Sequence, residues 1–173
     1  MTQIPEPTHS TKAAIDRHHE QRTESPRRHL GCSTLGHHCD RWLWISFRWA
    51  IREQFSGRML RLFRRGQLEE DIIASDLRAI GCDLVTHDEN GKQLRVDFGN
   101  FVSGSMDGVI RSGVPEAPSK PHVVEMKTHS LKSFKDLVSK GVEASKPMHY
   151  AQMQLYMLGT GIDRALYVAV CKD

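Results

Sequence analysis

Two stretches decide the fold: Phe101-Val102-Ser103-Gly104-Ser105-Met106-Asp107-Gly108-Val109-Ile110 and the run His122-Val123-Val124-Glu125-Met126-Lys127, whose Glu125 lies eighteen positions after Asp107. Both read as strands of one sheet. Alternate residues of a strand share a face, so Glu125 and Lys127 point to one side and Met126 to the other. A carboxylate and an amine are thereby set side by side, next to a strand that carries Asp107. Gly104 and Gly108 flank the acidic part of that neighbouring strand and allow close approach of backbone or substrate. With ten Glu and nine Lys among 173 residues, a Glu-x-Lys triplet arises by chance about half the time, so its context has to supply the meaning. Charges inside an apolar strand are costly to bury unless paired or metal-bound. A surface salt bridge on a half-exposed strand is the competing reading.

Working outward, the segment after Gly81 has the texture of short strands, over 83–87, 94–98, 101–110 and 122–128. Asn90-Gly91, Gly99-Asn100 and the loop 113–121 supply the turns, which predicts a sheet that is largely antiparallel at first. Helices are predicted over 131–140 and 147–159, and a last strand over 165–171. Upstream, Trp42, Leu43, Ile45, Phe47, Trp49 and Ile51 suit an amphipathic helix over 40–54. A second helix over 59–80 carries Leu62, Phe63, Ile72, Ile73, Leu77 and Ile80 at helical spacing and stops at Gly81. The expected fold is therefore α/β, with a central mixed β-sheet flanked by α-helices.

Residues 1–28 are rich in Thr, Ser, Pro, His and charge and lack hydrophobic periodicity, so they are expected to form a flexible N-terminal arm. The rest, 29–173, is long enough for one core and one domain. The sequence stops directly after its last strand, where a buried strand ordinarily has something packed beyond it, and a missing C-terminal portion is left open. No apolar run is long enough to cross a bilayer and no signal-peptide pattern is present, which predicts a soluble cytoplasmic protein without membrane contact. Four widely spaced cysteines, Cys32, Cys39, Cys82 and Cys171, form no disulfide framework. Cys32, His37, His38 and Cys39 match no closed zinc pattern and are read as ordinary residues at a helix start.

Net charge is +3, but Arg41, Arg48, Arg52, Arg58, Arg61, Arg64 and Arg65 crowd one short stretch. Such a stripe is either an ordinary solvated helix face or a contact for a nucleic-acid backbone. In the second helix, Gly66-Gln67-Leu68-Glu69-Glu70 offers a third carboxylate. Glu70 shares a stripe with Ile73, Ala74 and Leu77 and so can face inward; Glu69 is the alternative. Near the C-terminus, His149-Tyr150-Ala151-Gln152-Met153-Gln154-Leu155-Tyr156 places Gln152 and Tyr156 one helical turn apart on one face.

This order of elements, helical Gly-x-x-x-Glu, strand Asp, Glu-x-Lys, then Gln-x-x-x-Tyr, resembles the PD-(D/E)XK nuclease superfamily, and within it the branch of lambda-type and RecB-type exonuclease domains and their phage relatives. The resemblance spans about residues 30 to 172. Met106 stands where the superfamily has its eponymous proline; the carboxylate, not the proline, binds metal. The resemblance implies a restriction-endonuclease-like core and a metal-dependent deoxyribonuclease of phage-type recombination or DNA processing. Asp107, Glu125 and Lys127 would be catalytic. Asp107, Glu125, the main-chain carbonyl of Met126 and Glu70 would hold Mg²⁺ or Mn²⁺ through the hard oxygen ligands those ions prefer.

Under that reading Lys127 either positions or deprotonates the attacking water or stabilises charge in the transition state. Gln152 and Tyr156 would orient substrate or the metal-bound constellation, and Arg41, Arg61, Arg64, Arg65 and Lys132 would contact DNA phosphates without reading sequence. Double- or single-stranded DNA is the implied partner, with a recombination protein and a homo-oligomer as further ones. Two alternatives accompany it. One is a DNA-binding or assembly protein that kept the nuclease fold and lost turnover. The other is a CRISPR-associated or repair-type nuclease with an iron–sulfur cluster, whose relatives carry one early and three late cysteines. Cys39 matches the early one, but only Cys171 is late, which argues against a cluster.

Overall fold

The computed structural model describes residues 10–22, 28–50 and 54–172. Among these the protein is a mixed α/β structure with helices α1 (Thr11–Glu20), α2 (Cys32–Leu35), α3 (Asp40–Phe47), α4 (Gly57–Ala79), α5 (Leu131–Ser145) and α6 (Pro147–Thr160). The strands are β1 (Leu30–Gly31), β2 (Leu84–Val85), β3 (Arg95–Asp97), β4 (Val102–Ser105), β5 (Gly108–Ile110), β6 (His122–His129) and β7 (Ala165–Cys171). They form two mixed sheets, ordered β1-β4-β3 and β2-β5-β6-β7. In the larger sheet β5 and β6 run antiparallel, while β6 and β7 run parallel with Glu125 opposite Tyr167 and Lys127 opposite Ala169.

β6 is the central plank. Its first five residues are buried, and the pleat sends them to two different cores. Val124 and Met126 pack with Ile73, Ala74 and Leu77 of α4 and with Leu84 and Ile110. Val123 faces the other way, into a cluster with Cys32, Val96, Met106 and Tyr156. A strand covered by helices on both faces has no solvated side. A charged residue on it must therefore find its partners inside the protein.

Three expectations need correction. The segment 101–110 is not one strand: β4 belongs to the smaller sheet and β5 to the larger, and the chain changes sheets at Met106-Asp107. Packing is tight on both sides of the switch. A Cβ on Gly104 would lie 2.8 Å from the Cys32 sulfur and 2.9 Å from the Tyr156 ring, and one on Gly108 would lie 2.7 Å from Leu84. The two glycines thus serve internal packing.

The arm is not structureless throughout. Thr11–Glu20 is a helix capped by Ser10, whose hydroxyl accepts from the Ala13 N–H. It docks on α4 through an Asp16–Arg61 ion pair of 3.1 Å and a 2.6 Å hydrogen bond from the Gly57 N–H to the Glu20 carboxylate. Its buried side chain is His19, so the docking face is polar and leaves no apolar periodicity to read. Residues 1–9 and 23–27 of the expected arm lie outside the described residues.

The helix expected over 40–54 ends at Phe47, and Trp49 then takes a left-handed φ of 54°; residues 51–53 lie outside the described residues. α5 and α6 cover the expected helices closely, with α5 interrupted at Gly141, where φ is 74°. No helix among the described residues is long and apolar enough to cross a membrane.

Candidate active site

Asp107 sits at the sheet switch, where β5 no longer pairs with β6. Its carboxylate accepts a hydrogen bond from the Met126 N–H at 2.7 Å, taking the place a backbone carbonyl would hold in a continued ladder. The pleat then aims Glu125 and Lys127 to the α6 side. The Lys127 ammonium lies 2.5 Å from Glu125 Oε1, 3.3 Å from Asp107 Oδ2 and 3.0 Å from the Met126 carbonyl oxygen. Those are three of the groups whose oxygens the sequence offers to a cation. They converge on one point, and the ammonium occupies it.

Electrostatics around that point are lopsided. Burial raises the Glu125 carboxyl to about 7, with Asp107 and Glu70 adding to the rise against the pull of Lys127. Glu70 is also raised to about 7, first by burial and then by Asp107. Burial pushes Lys127 down, but Glu125, Asp107 and Glu70 outweigh it and hold the ammonium above the ordinary lysine value. Burial comes first for the two carboxyls, and the charge balance adds to it: three carboxylates facing a single ammonium leave an excess of two negative charges when all are ionised, which opposes full ionisation and holds the lysine's proton.

Of the two adjacent glutamates on α4, Glu70 is the one whose charge reaches Glu125 and Lys127. One turn earlier, Gly66 faces Thr128 of β6, and a Cβ there would meet only the threonine hydroxyl, at 3.7 Å. This crossing lets α4 deliver an acid to the far side of the strand.

Gln152 and Tyr156 are buried at the same site. Gln152 Nε2 donates to Glu125 Oε2 at 3.2 Å and to the Tyr156 hydroxyl at 3.0 Å. Tyr156 donates in turn to the Ser105 carbonyl at 2.6 Å. The chain of contacts runs from Glu125 to the end of β4, two residues before Asp107. It fixes the separation of the two carboxylates.

The predicted phosphate contacts are dispersed. At 100° per residue, Arg61, Arg64 and Arg65 stand at least about 120° round α4 from Glu70. Arg61 is engaged with Asp16, and Arg64 acts on His19 of α1. Arg41 is exposed on α3. Lys132 is exposed at the start of α5, where Ser130, Ser133, Lys135, Asp136 and Ser139 line an open groove of about 690 Å³ with it.

Sequence reasoning missed a further set. His129 Nε2 and His149 Nδ1 lie 2.9 and 2.7 Å from the Tyr167 hydroxyl, and His129 Nδ1 lies 3.1 Å from Ser133. Burial, then the Lys127 charge, lowers His149 to about 4. Burial also lowers His129, and it raises Tyr167 to about 12. The signals were present. His129 continues the alternation of Glu125 and Lys127, and His149 stands three before Gln152 on the same helix face.

Among the described residues no group of three His, Cys, Asp or Glu is placed to hold a metal ion as the side chains stand. At Lys127 the oxygens are drawn onto the ammonium instead. Cys32 is buried in the core, and His37 stacks between His38 and Trp42 and takes the Cys39 N–H at 3.1 Å. No protein-family model, curated protein or solved structure matches this chain.

Proposed function

We propose that the protein is a divalent-metal-dependent nuclease that hydrolyses phosphodiester bonds of DNA, built on the restriction-endonuclease-like core that its motif order implies. One observation carries the reading: Asp107, Glu125 and the Met126 carbonyl turn their oxygens on one cation-sized point. The donors are hard oxygens, the kind Mg²⁺ and Mn²⁺ prefer. The uncompensated charge around Lys127 equals that of one divalent ion. Asp107, Glu125, the Met126 carbonyl and Glu70 would hold it.

Bound there, the ion would supply an activated water and neutralise charge at the scissile phosphate. Lys127, moved out from among the oxygens, would stay within reach of that water and of the developing negative charge. Gln152 holds Glu125 in its rotamer, and Tyr156 anchors Gln152 to β4. Arg41, Arg65 and Lys132 are exposed cations proposed to meet the backbone, while Arg61 is paired with Asp16 of α1.

The test is cleavage of end-labelled linear duplex, closed circular duplex and single-stranded DNA with Mg²⁺, Mn²⁺ or EDTA. Wild type is expected to degrade linear DNA only with metal, and Lys127→Ala to be inactive. Survival of the circle would mark an exonuclease of the phage recombination kind. Well-folded protein that cleaves none of these substrates with either metal would overturn the proposal.

A further inference from the structure

α3 shows an outward stripe in which charge and aromatic surface alternate. Arg41, Trp44 and Arg48 stand at i, i+3 and i+7, so they share one face, and all three are exposed. Trp44 keeps 61% of its surface in solvent, and the Arg48 guanidinium lies over its ring at 5.5 Å. Phe47, next round the helix, touches Trp49 at 5.8 Å and Phe101 at 6.1 Å between ring centroids. Phe101 is 67% exposed.

Two of these aromatic residues are held in strained backbone. Trp49 has φ 54° and Phe101 φ 66°, the left-handed region that bulky side chains rarely adopt. The Phe101 carbonyl accepts a 2.7 Å hydrogen bond from the Leu30 N–H at the start of β1, which anchors its main chain while the ring projects outward. Strain that presents an apolar ring to water is not explained by folding.

We propose that this surface is a stacking platform for single-stranded nucleic acid. Flat rings with arginines between them match what an unpaired strand offers, bases with open π-faces joined by phosphates. A duplex hides those faces within its own stack. Among the described residues, Asp40 stands at the first turn of α3, and Asp97 is committed to the Gly99 N–H at 2.9 Å.

β4 connects the platform to the site. Phe101 and Asp107 are six residues apart, at most about 20 Å of extended chain, or about six stacked nucleotides. A strand lying on the rings is thus within reach of Asp107. This link to cleavage rests on the proposed nuclease function; binding by the platform does not.

The experiment is fluorescence anisotropy with labelled (dT)₁₂ and a labelled hairpin duplex, in EDTA so that nothing is cut. Wild type is expected to bind (dT)₁₂ more tightly than the hairpin. Trp44→Leu and Phe101→Leu, which keep apolar bulk and remove the π-face, are each expected to weaken (dT)₁₂ binding about tenfold. Phe101→Tyr is expected to stay within twofold of wild type. Leucine variants that bind (dT)₁₂ within twofold of wild type while folded by circular dichroism would overturn the platform. So would a wild type that prefers the hairpin. Cleavage with Mg²⁺, run in parallel, separates the two ideas. Ring-dependent binding without cleavage would keep the platform and remove the nuclease, and cleavage without ring dependence would do the reverse.

Discussion

Replacing Glu125 by Gln should change how stability depends on pH in a direction that surface ion pairs cannot mimic. In the folded protein without metal, burial raises the Glu125 carboxyl from 4.5 to about 7. Because the folded value lies above the unfolded one, the group's contribution is fully present below about pH 4.5 and is lost as pH rises through about 7. At 1.36 kcal/mol per pKa unit, the loss is about 3 kcal/mol, of which roughly 2 to 3 falls between pH 5 and 8. The side chain is fully buried, so solvent does not dilute this figure.

His149 acts with the opposite sign. Lowered to about 4, it adds stability as pH rises from about 4 to 6.5 and masks the carboxyl in wild type. Comparing the two proteins cancels it. Glu125 forms a 2.5 Å ion pair with Lys127 through one oxygen and accepts from Gln152 on the other. Gln can accept on only one, which costs a pH-independent ~1–3 kcal/mol. Urea unfolding in EDTA, followed by circular dichroism, should therefore show Glu125→Gln gaining about 2 to 3 kcal/mol relative to wild type between pH 5 and 8. Saturating Mg²⁺ should remove most of that gain by compensating the wild-type charge. A difference that is constant across the range, or that shrinks as pH rises, would refute the picture of a buried carboxyl short of positive charge.

Tyr156→Phe removes a hydroxyl that both donates to Ser105 and accepts from Gln152. It should cost about 1–3 kcal/mol in urea unfolding and, in the proposed nuclease reaction, lower kcat more than it raises KM, since the tyrosine acts through Glu125. Two helix glycines should respond in opposite ways to alanine. Gly66→Ala meets only Thr128 at 3.7 Å and should raise thermal stability by about 1 kcal/mol. Gly57→Ala would put its Cβ 2.3 Å from the Asp16 carbonyl oxygen, and should release α1 and expose the α1–α4 contact to limited proteolysis.

Much of the site was readable without coordinates because it depends on local periodicity. The two-residue repeat of β6 sets Glu125 beside Lys127, and the 3.6-residue repeat of α6 aligns Gln152 with Tyr156. The same arithmetic reaches His129 and His149, which went unread because no partner for them is adjacent in sequence: Tyr167 lies 38 and 18 residues away. α1 escaped for a different reason. Its docking rests on Asp16, Glu20 and His19, and a polar contact surface resembles a solvated one until its partner is known.

By itself, then, the sequence determined which residues share a face, where the turns fall, and that an acid and a lysine stand side by side within one apolar strand. Those properties follow from backbone geometry over a few residues. Only the tertiary structure decided that 101–110 divides between two sheets at Asp107, that Glu70 rather than Glu69 acts on the lysine, and that Arg61 pairs with Asp16 of α1. Each of these depends on which distant surface packs against the element. That choice is made by steric fit, as between Gly104 and Cys32, and by the cost of leaving a buried charge without a partner.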